Sequence, residues 1–125
     1  DETVLNLLRE TDKLTVKHRQ YCTEIGRFDL TFYNNEVTGS YVLLPKKSTG
    51  AIWGTIDNRA FTGRWIDGDG QGDIKITFSD TFSSFSTSYR GDKDPETWYT
   101  DQWHGQLRPN TEASFKKDGK KYTCE

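Results

Sequence analysis

The sequence predicts an all-β fold: an up-and-down antiparallel meander that closes into a barrel of roughly seven or eight strands, preceded by a short N-terminal helix. Three observations predict it. A segment recurs at a fixed spacing, apolar residues alternate at period two between its copies, and turn-forming residues fall where that spacing needs them.

The repeat comes first. Val37-Thr38-Gly39-Ser40-Tyr41 recurs as Phe61-Thr62-Gly63-Arg64-Trp65 and as Phe85-Ser86-Thr87-Ser88-Tyr89, each copy 24 positions after the last. The intervening stretches share that register: Phe28, Ile52 and Ile76 align, as do Leu30, Gly54 and Phe78. A unit of this length holds two strands of about seven or eight residues and two short turns. Strands joined by short turns pair with their neighbours, so three such units make a meander. Tyr41, Trp65 and Tyr89 then occupy equivalent positions and share one face of the wall, because a one-residue slip would reverse it.

The elements follow in order. Val4, Leu5, Leu7 and Leu8 have helical spacing among charged residues, which predicts a short helix near 2–12. Such a helix is too brief to stand alone and must pack on the barrel. Leu14-Thr15-Val16 reads as a connecting strand or coil, so residues 1–20 form a helix and connector, and 21–125 a single barrel domain. Phe28, Leu30 and Phe32 alternate with Asp29 and Thr31, and Ile74, Ile76 and Phe78 with Lys75 and Thr77. Turn chemistry stands at Asn34-Asn35, Pro45 to Gly50, Asp57-Asn58, Asp67 to Gly72 and Ser79-Asp80. Strands are expected near 27–33, 37–44, 50–57, 60–67, 73–79 and 83–90, with a seventh near 102–108. Phe115 to Tyr122 reads as a hairpin around Asp118-Gly119, the dipeptide of a type I′ turn. Closure of the wall removes two open edges; an open sandwich is the alternative.

Composition narrows the class. One domain accounts for 125 residues, and a 32% apolar content with 14% aromatics and no methionine suits a thin β wall better than a helical bundle. A net charge of −2 gives no electrostatic footprint for nucleic acid. No apolar run approaches the roughly 18 residues of a transmembrane segment. Asp1-Glu2-Thr3-Val4 lacks the features of a signal peptide, as would a mature end left after cleavage or a cytosolic start. Cys22 and Cys124 bracket the barrel and form no C-x-x-C or zinc set. They read as a disulfide between the first and last strands, which places the protein in a secreted, periplasmic or cell-surface setting; two unrelated thiols are the alternative.

Several of these residues carry a resemblance. The meander with its glycine–aromatic pairs, the leading helix and the opening Gly26-Arg27-Phe28 resemble the calycin superfamily, which includes lipocalins and avidins. Val37-Thr38-Gly39-Ser40-Tyr41 is similar to the second strand of avidins, Gly26-x-Phe28 to the Gly-x-Trp that opens lipocalin barrels, and Trp103-His104-Gly105 to the Trp-x-Gly strand that ends small bacterial barrels. The resemblance covers roughly residues 25–108 and implies a ligand-holding barrel. It stops short of biotin. Thr23 and Arg27 stand where avidins hold the ureido group, Arg27 as a large charged obstruction, and Leu43 replaces a ligand-binding serine. Phe28 replaces the lipocalin tryptophan.

Candidate chemistry is sparse. Trp98-Tyr99-Thr100-Asp101-Gln102-Trp103-His104 is the densest aromatic and polar cluster, either the lip of a pocket or a strand whose indoles fill the barrel. Tyr41, Trp65, Tyr89, Trp98, Trp103 and His104 are the candidate ligand-binding residues. Asp67-Gly68-Asp69-Gly70-Gln71-Gly72-Asp73-Ile74 copies the first eight positions of a calcium loop, but Phe78 stands where the bidentate Glu belongs, and a flexible turn explains the same residues. His104, with Asp101 or Glu96 to orient it, could act as a base, but no nucleophile motif accompanies it. Lys116, Lys117, Lys120 and Lys121 flank the hairpin turn and protect an edge. No cofactor motif and no metal set is present.

The leading expectation is therefore a non-enzymatic protein that holds a small, partly apolar ligand in or at the mouth of the barrel. The alternative is a protein–protein interaction module, such as an inhibitor, immunity factor or assembly subunit. It would use a barrel edge or the long charged loop Gly91-Asp92-Lys93-Asp94-Pro95-Glu96-Thr97. An enzyme would need a titrating pair inside the barrel that the sequence does not display.

Overall fold

Alternating segments separated by two-residue turns form hairpins, and this chain makes them in succession. The computed structural model describes residues 16–44 and 47–124. The strands are β1 (Lys17–Cys22), β2 (Gly26–Tyr33), β3 (Glu36–Leu43), β4 (Ser48–Asp57), β5 (Ala60–Asp67), β6 (Gly70–Phe78), β7 (Ser84–Gly91), β8 (His104–Leu107), β9 (Ser114–Lys117) and β10 (Lys120–Thr123). The first eight form a closed antiparallel barrel in sequence order, and β9 and β10 form a separate hairpin. The helix expected near 2–12 lies outside the described residues.

Each expected strand is present within a few residues, and the structure adds one. β1 begins in the segment read as connector, pairs with β2 along its length and meets β8 at Tyr21 and Cys22, so it is the strand that closes the wall. Its residues hide this role. Lys17 and Arg19 pair with the inward Phe32 and Leu30, which puts basic side chains on the inner face at the end of the barrel. There the Arg19 guanidinium lies 5.2 Å and 5.3 Å from the ring centres of Phe32 and Phe82, where ring faces attract a cation.

That end is the floor. The β2–β3 and β4–β5 turns and the loop 79–83 share it, because alternate turns of a meander fall on one side. Phe78, Phe32, Phe85 and Tyr21 fill it, and Phe82 covers it, stacked 5.0 Å from Phe78. Phe82 adopts a φ of 59°, unusual for a bulky residue. The Tyr21 hydroxyl holds that backbone by donating to the Phe82 carbonyl at 2.7 Å.

The repeat sets the interior. Val37, Phe61 and Phe85 are all buried, as are Phe28, Ile52 and Ile76. Large side chains face glycines across the strands: Tyr41 opposes Gly50, and Phe85 opposes Gly105. A Cβ at Gly50 would overlap the Tyr41 ring, and one at Gly105 the Phe85 ring, so these glycines provide space in a narrow bore.

The hairpin β9–β10 does not join the wall. Its Tyr122 packs with Phe115 and a disulfide links Cys22 to Cys124, with their Cα atoms 4.6 Å apart. The bond is the one expected, and Cys22 ends β1, but Cys124 lies beyond the hairpin rather than in a last barrel strand, so the bond clips that hairpin to the barrel. Asp118 and Gly119 have φ of 52° and 80°, as a type I′ turn requires.

Candidate functional site

At the end opposite the floor the barrel holds a cavity of about 250 Å³, lined by Tyr41, Leu43, Trp65, Asp67, Asp69, Ile74, Tyr89 and Trp103. Register explains the lining. Tyr41, Trp65 and Tyr89 are the last residues of the three repeats and lie on the same inner face near the mouth, as their shared spacing requires. Trp103 comes from the segment before β8, whose carbonyl accepts hydrogen bonds from the Thr87 amide at 3.0 Å and the Thr87 hydroxyl at 3.2 Å. The indole stacks on Tyr89 with ring centres 5.2 Å apart.

The rings hold one another. Tyr41 stacks on Phe28 at 5.4 Å, and Trp65 meets Tyr89 at a right angle at 6.1 Å. Two of the polar tips are satisfied within the protein: Trp65 Nε1 donates to the Arg90 carbonyl at 3.0 Å, and the Tyr41 hydroxyl donates to Asp67 Oδ2 at 2.6 Å. Burial, and then the neighbouring Asp67, push the Tyr41 hydroxyl far above the ordinary tyrosine range, so it stays protonated and keeps donating. Asp67 Oδ1 accepts the Asp69 amide at 2.8 Å.

Four of the six candidate residues thus meet in this cavity, and two do not. Trp98 lies on the outer wall, with the Lys75 ammonium 4.3 Å and the Arg90 guanidinium 4.7 Å from its ring centre. His104 is also outside: its register partner is Ser86, next to the inward Phe85. Its Nδ1 lies 2.8 Å from Glu24 Oε2 and its Nε2 2.7 Å from Asp101 Oδ1. Glu24 also accepts the His104 amide at 2.7 Å. The hydrogen bond to Glu24 is the main cause that raises the imidazole above its usual pKa. A ring held by two carboxylates on the outer face is a clasp across the β1–β8 seam rather than a base aimed into the barrel.

Geometry corrects one other sequence reading and bears on a second. Arg27 does not obstruct the cavity; it is on the outer face, with Nε donating to Asp29 Oδ2 at 2.9 Å. The donors of the calcium-like loop do not converge. Asp67 turns to Tyr41, whereas Asp73 binds Arg64 at 3.0 Å and Arg90 at 2.7 Å. Among the described residues no group of three or more His, Cys, Asp or Glu side chains is placed to hold a metal.

Asp67, Asp69 and Ile74 line the cavity without having been singled out for it, and so does Leu43, which the sequence placed only as the replacement of a ligand-binding serine. Leu43 and Asp67 had a signal: they stand two residues beyond Tyr41 and Trp65, on the same face in the same repeat. Asp69 and Ile74 depend on how the turn and the next strand fold over the mouth. The long loop from Gly91 also has a structural part. Tyr99 pairs with Tyr89 through two backbone hydrogen bonds of 2.8 Å and 2.9 Å, so the loop extends the wall where β8 is absent. No protein-family model, curated protein or solved structure matches the chain, and its kind rests on its architecture: a closed eight-stranded antiparallel meander, consistent with a calycin-like barrel.

Proposed function

We propose that the protein is a non-enzymatic carrier or receptor of a small, partly apolar molecule held at the mouth of the barrel. One observation carries the reading: equivalent aromatic residues of three successive repeats converge with Trp103 on one cavity instead of filling it. Binding sites combine apolar walls with a few placed polar groups, as this one does, and pockets for drug-sized ligands run from about 300 to 1,000 Å³. A volume of about 250 Å³ fits a smaller molecule. The disulfide supports an exported protein, because such bonds persist in oxidising compartments. No helix among the described residues is long and apolar enough to cross a membrane.

The test uses tryptophan emission. Trp53 and Trp98 lie outside the cavity, so Trp53→Phe and Trp98→Phe together leave Trp65 and Trp103 as reporters. Small-molecule titration should shift or quench their emission. Leu43→Trp, which fills the mouth, should remove ligand-induced thermal stabilisation while the β-rich circular dichroism persists. A library that yields no saturable response, or binding unaffected by Leu43→Trp, would overturn the reading.

A further inference from the structure

We infer that the ligand carries a positive charge: the cavity is built for an organic ammonium group, and this rests on the reading of the cavity as a ligand site. Three observations converge on it. The first is the lining. Tyr41, Trp65, Tyr89 and Trp103 supply aromatic rings, and none of the cavity's described lining residues is basic. Aromatic faces are the negative part of the ring quadrupole, and cages of such rings take alkylated ammonium ions. Trp65 is the ring with most to offer, since among the described residues its ring contact is the perpendicular one with Tyr89.

The second is the state of the carboxylates. On the outer wall several acidic side chains are matched to cations, Asp29 to Arg27, Asp73 to Arg64 and Arg90, Asp92 to Arg64, Asp80 to Arg59, and Glu24 to His104, while Glu36 and Asp57 at strand ends have no ion pair among the described residues. Asp67 and Asp69, the two that line the cavity, have no basic partner among the described residues. The Tyr41 hydroxyl and the Asp69 amide orient Asp67 without neutralising it. The third is what the adjoining surface offers. The groove that shares Trp65, Asp69 and Tyr89 with the cavity carries Asp94 against Lys93, beside an Asp92 already paired with Arg64, so it brings no net positive charge to the approach. An anion would meet two carboxylates that carry no ion pair, and a purely apolar ligand would offer them no opposite charge. A quaternary or alkylated ammonium head between Asp67 and the Trp65 indole satisfies both groups, with its carbon substituents against Ile74 and Leu43.

The test compares ligands of one shape and two charges. Calorimetric or fluorescence titration with choline and tetramethylammonium is set beside 3,3-dimethylbutan-1-ol, the uncharged isostere of choline. Choline should bind about tenfold or more tighter than the alcohol, the factor expected from one desolvated cation–aromatic contact. Asp67→Asn, which keeps an acceptor for Tyr41, and Asp69→Asn should each lower choline affinity and leave the alcohol unchanged. Saturable binding of the alcohol with equal or higher affinity would overturn the charge assignment and leave the binding barrel standing. Absence of saturable binding by either ligand, with other library compounds bound at the same cavity, would also overturn it. No binding by any compound would remove both.

Discussion

His104 has a carboxylate on each ring nitrogen, Glu24 at 2.8 Å and Asp101 at 2.7 Å, and a neutral imidazole could donate to only one of them. The protonated ring is therefore favoured in the folded state. Its contribution to stability is fully present below the ordinary value of 6.5 and fades as pH rises through the raised folded value. For Glu24 the sign is opposite. Burial pushes its carboxyl up, but hydrogen bonds from His104 outweigh this and lower it, so its contribution is present above 4.5 and lost as pH falls through the lowered value. The clasp is thus strongest between those two ordinary values. His104→Gln should cost about 1 kcal/mol there, since both partners are partly screened by solvent. The difference in urea midpoints between variant and parent should shrink as the pH is raised above the histidine transition; a difference independent of pH would count against the clasp.

At the scale of elements, hydrogen bonding is uneven around the wall. β3, β4, β5 and β6 pair along their full lengths, whereas β8 meets β7 at three positions and β1 at two. Local opening follows the sparsest pairing, so amides of β1 and β8 should exchange with solvent before those of β4 and β5. Native-state hydrogen exchange resolved by residue would show that order or refute it. The same contrast explains what the sequence made legible. β2 to β7 announce themselves because β2 and β6 bury every second residue and the 24-residue repeat ties the other strands to them in one register. β1 was hidden because Lys17 and Arg19 occupy inner-face positions at the floor, where a guanidinium against aromatic rings replaces an apolar residue. Trp103 was legible as an aromatic near a strand, but Trp98 looked equivalent and is not. Sequence spacing fixes faces within a strand; through an irregular loop such as 92–103 it fixes none.

For the molecule as a whole, the barrel and its disulfide are separable. The ring of strands closes through β1–β8 hydrogen bonds, and the bond between Cys22 and Cys124, 102 residues apart, adds a restraint on the unfolded chain. Chain entropy for a loop of that size is worth about 4.7 kcal/mol before strain. Reduction, or Cys22→Ser with Cys124→Ser, should lower stability by roughly 2–5 kcal/mol while β-rich circular dichroism remains at low temperature. Mass measurement should show the reduced protein heavier by two hydrogens, and an unchanged denaturation midpoint would show the clip to be energetically idle.

The three repeats also arrange the interior along the barrel axis. Their first residues, Val37, Phe61 and Phe85, are buried toward the floor, and their last, Tyr41, Trp65 and Tyr89, stand at the mouth. On the proposed function, cohesion is concentrated at one pole and recognition at the other, only a few residues apart on the same strands. Substitutions at Trp65 should therefore alter the mouth with little effect on the packing below, whereas Tyr41, buried and stacked on Phe28, belongs to both poles. In evolutionary terms the selectivity of such a barrel is free to drift while its foundation is held constant, and descendants of one ancestral wall can diverge in cargo before they diverge in shape.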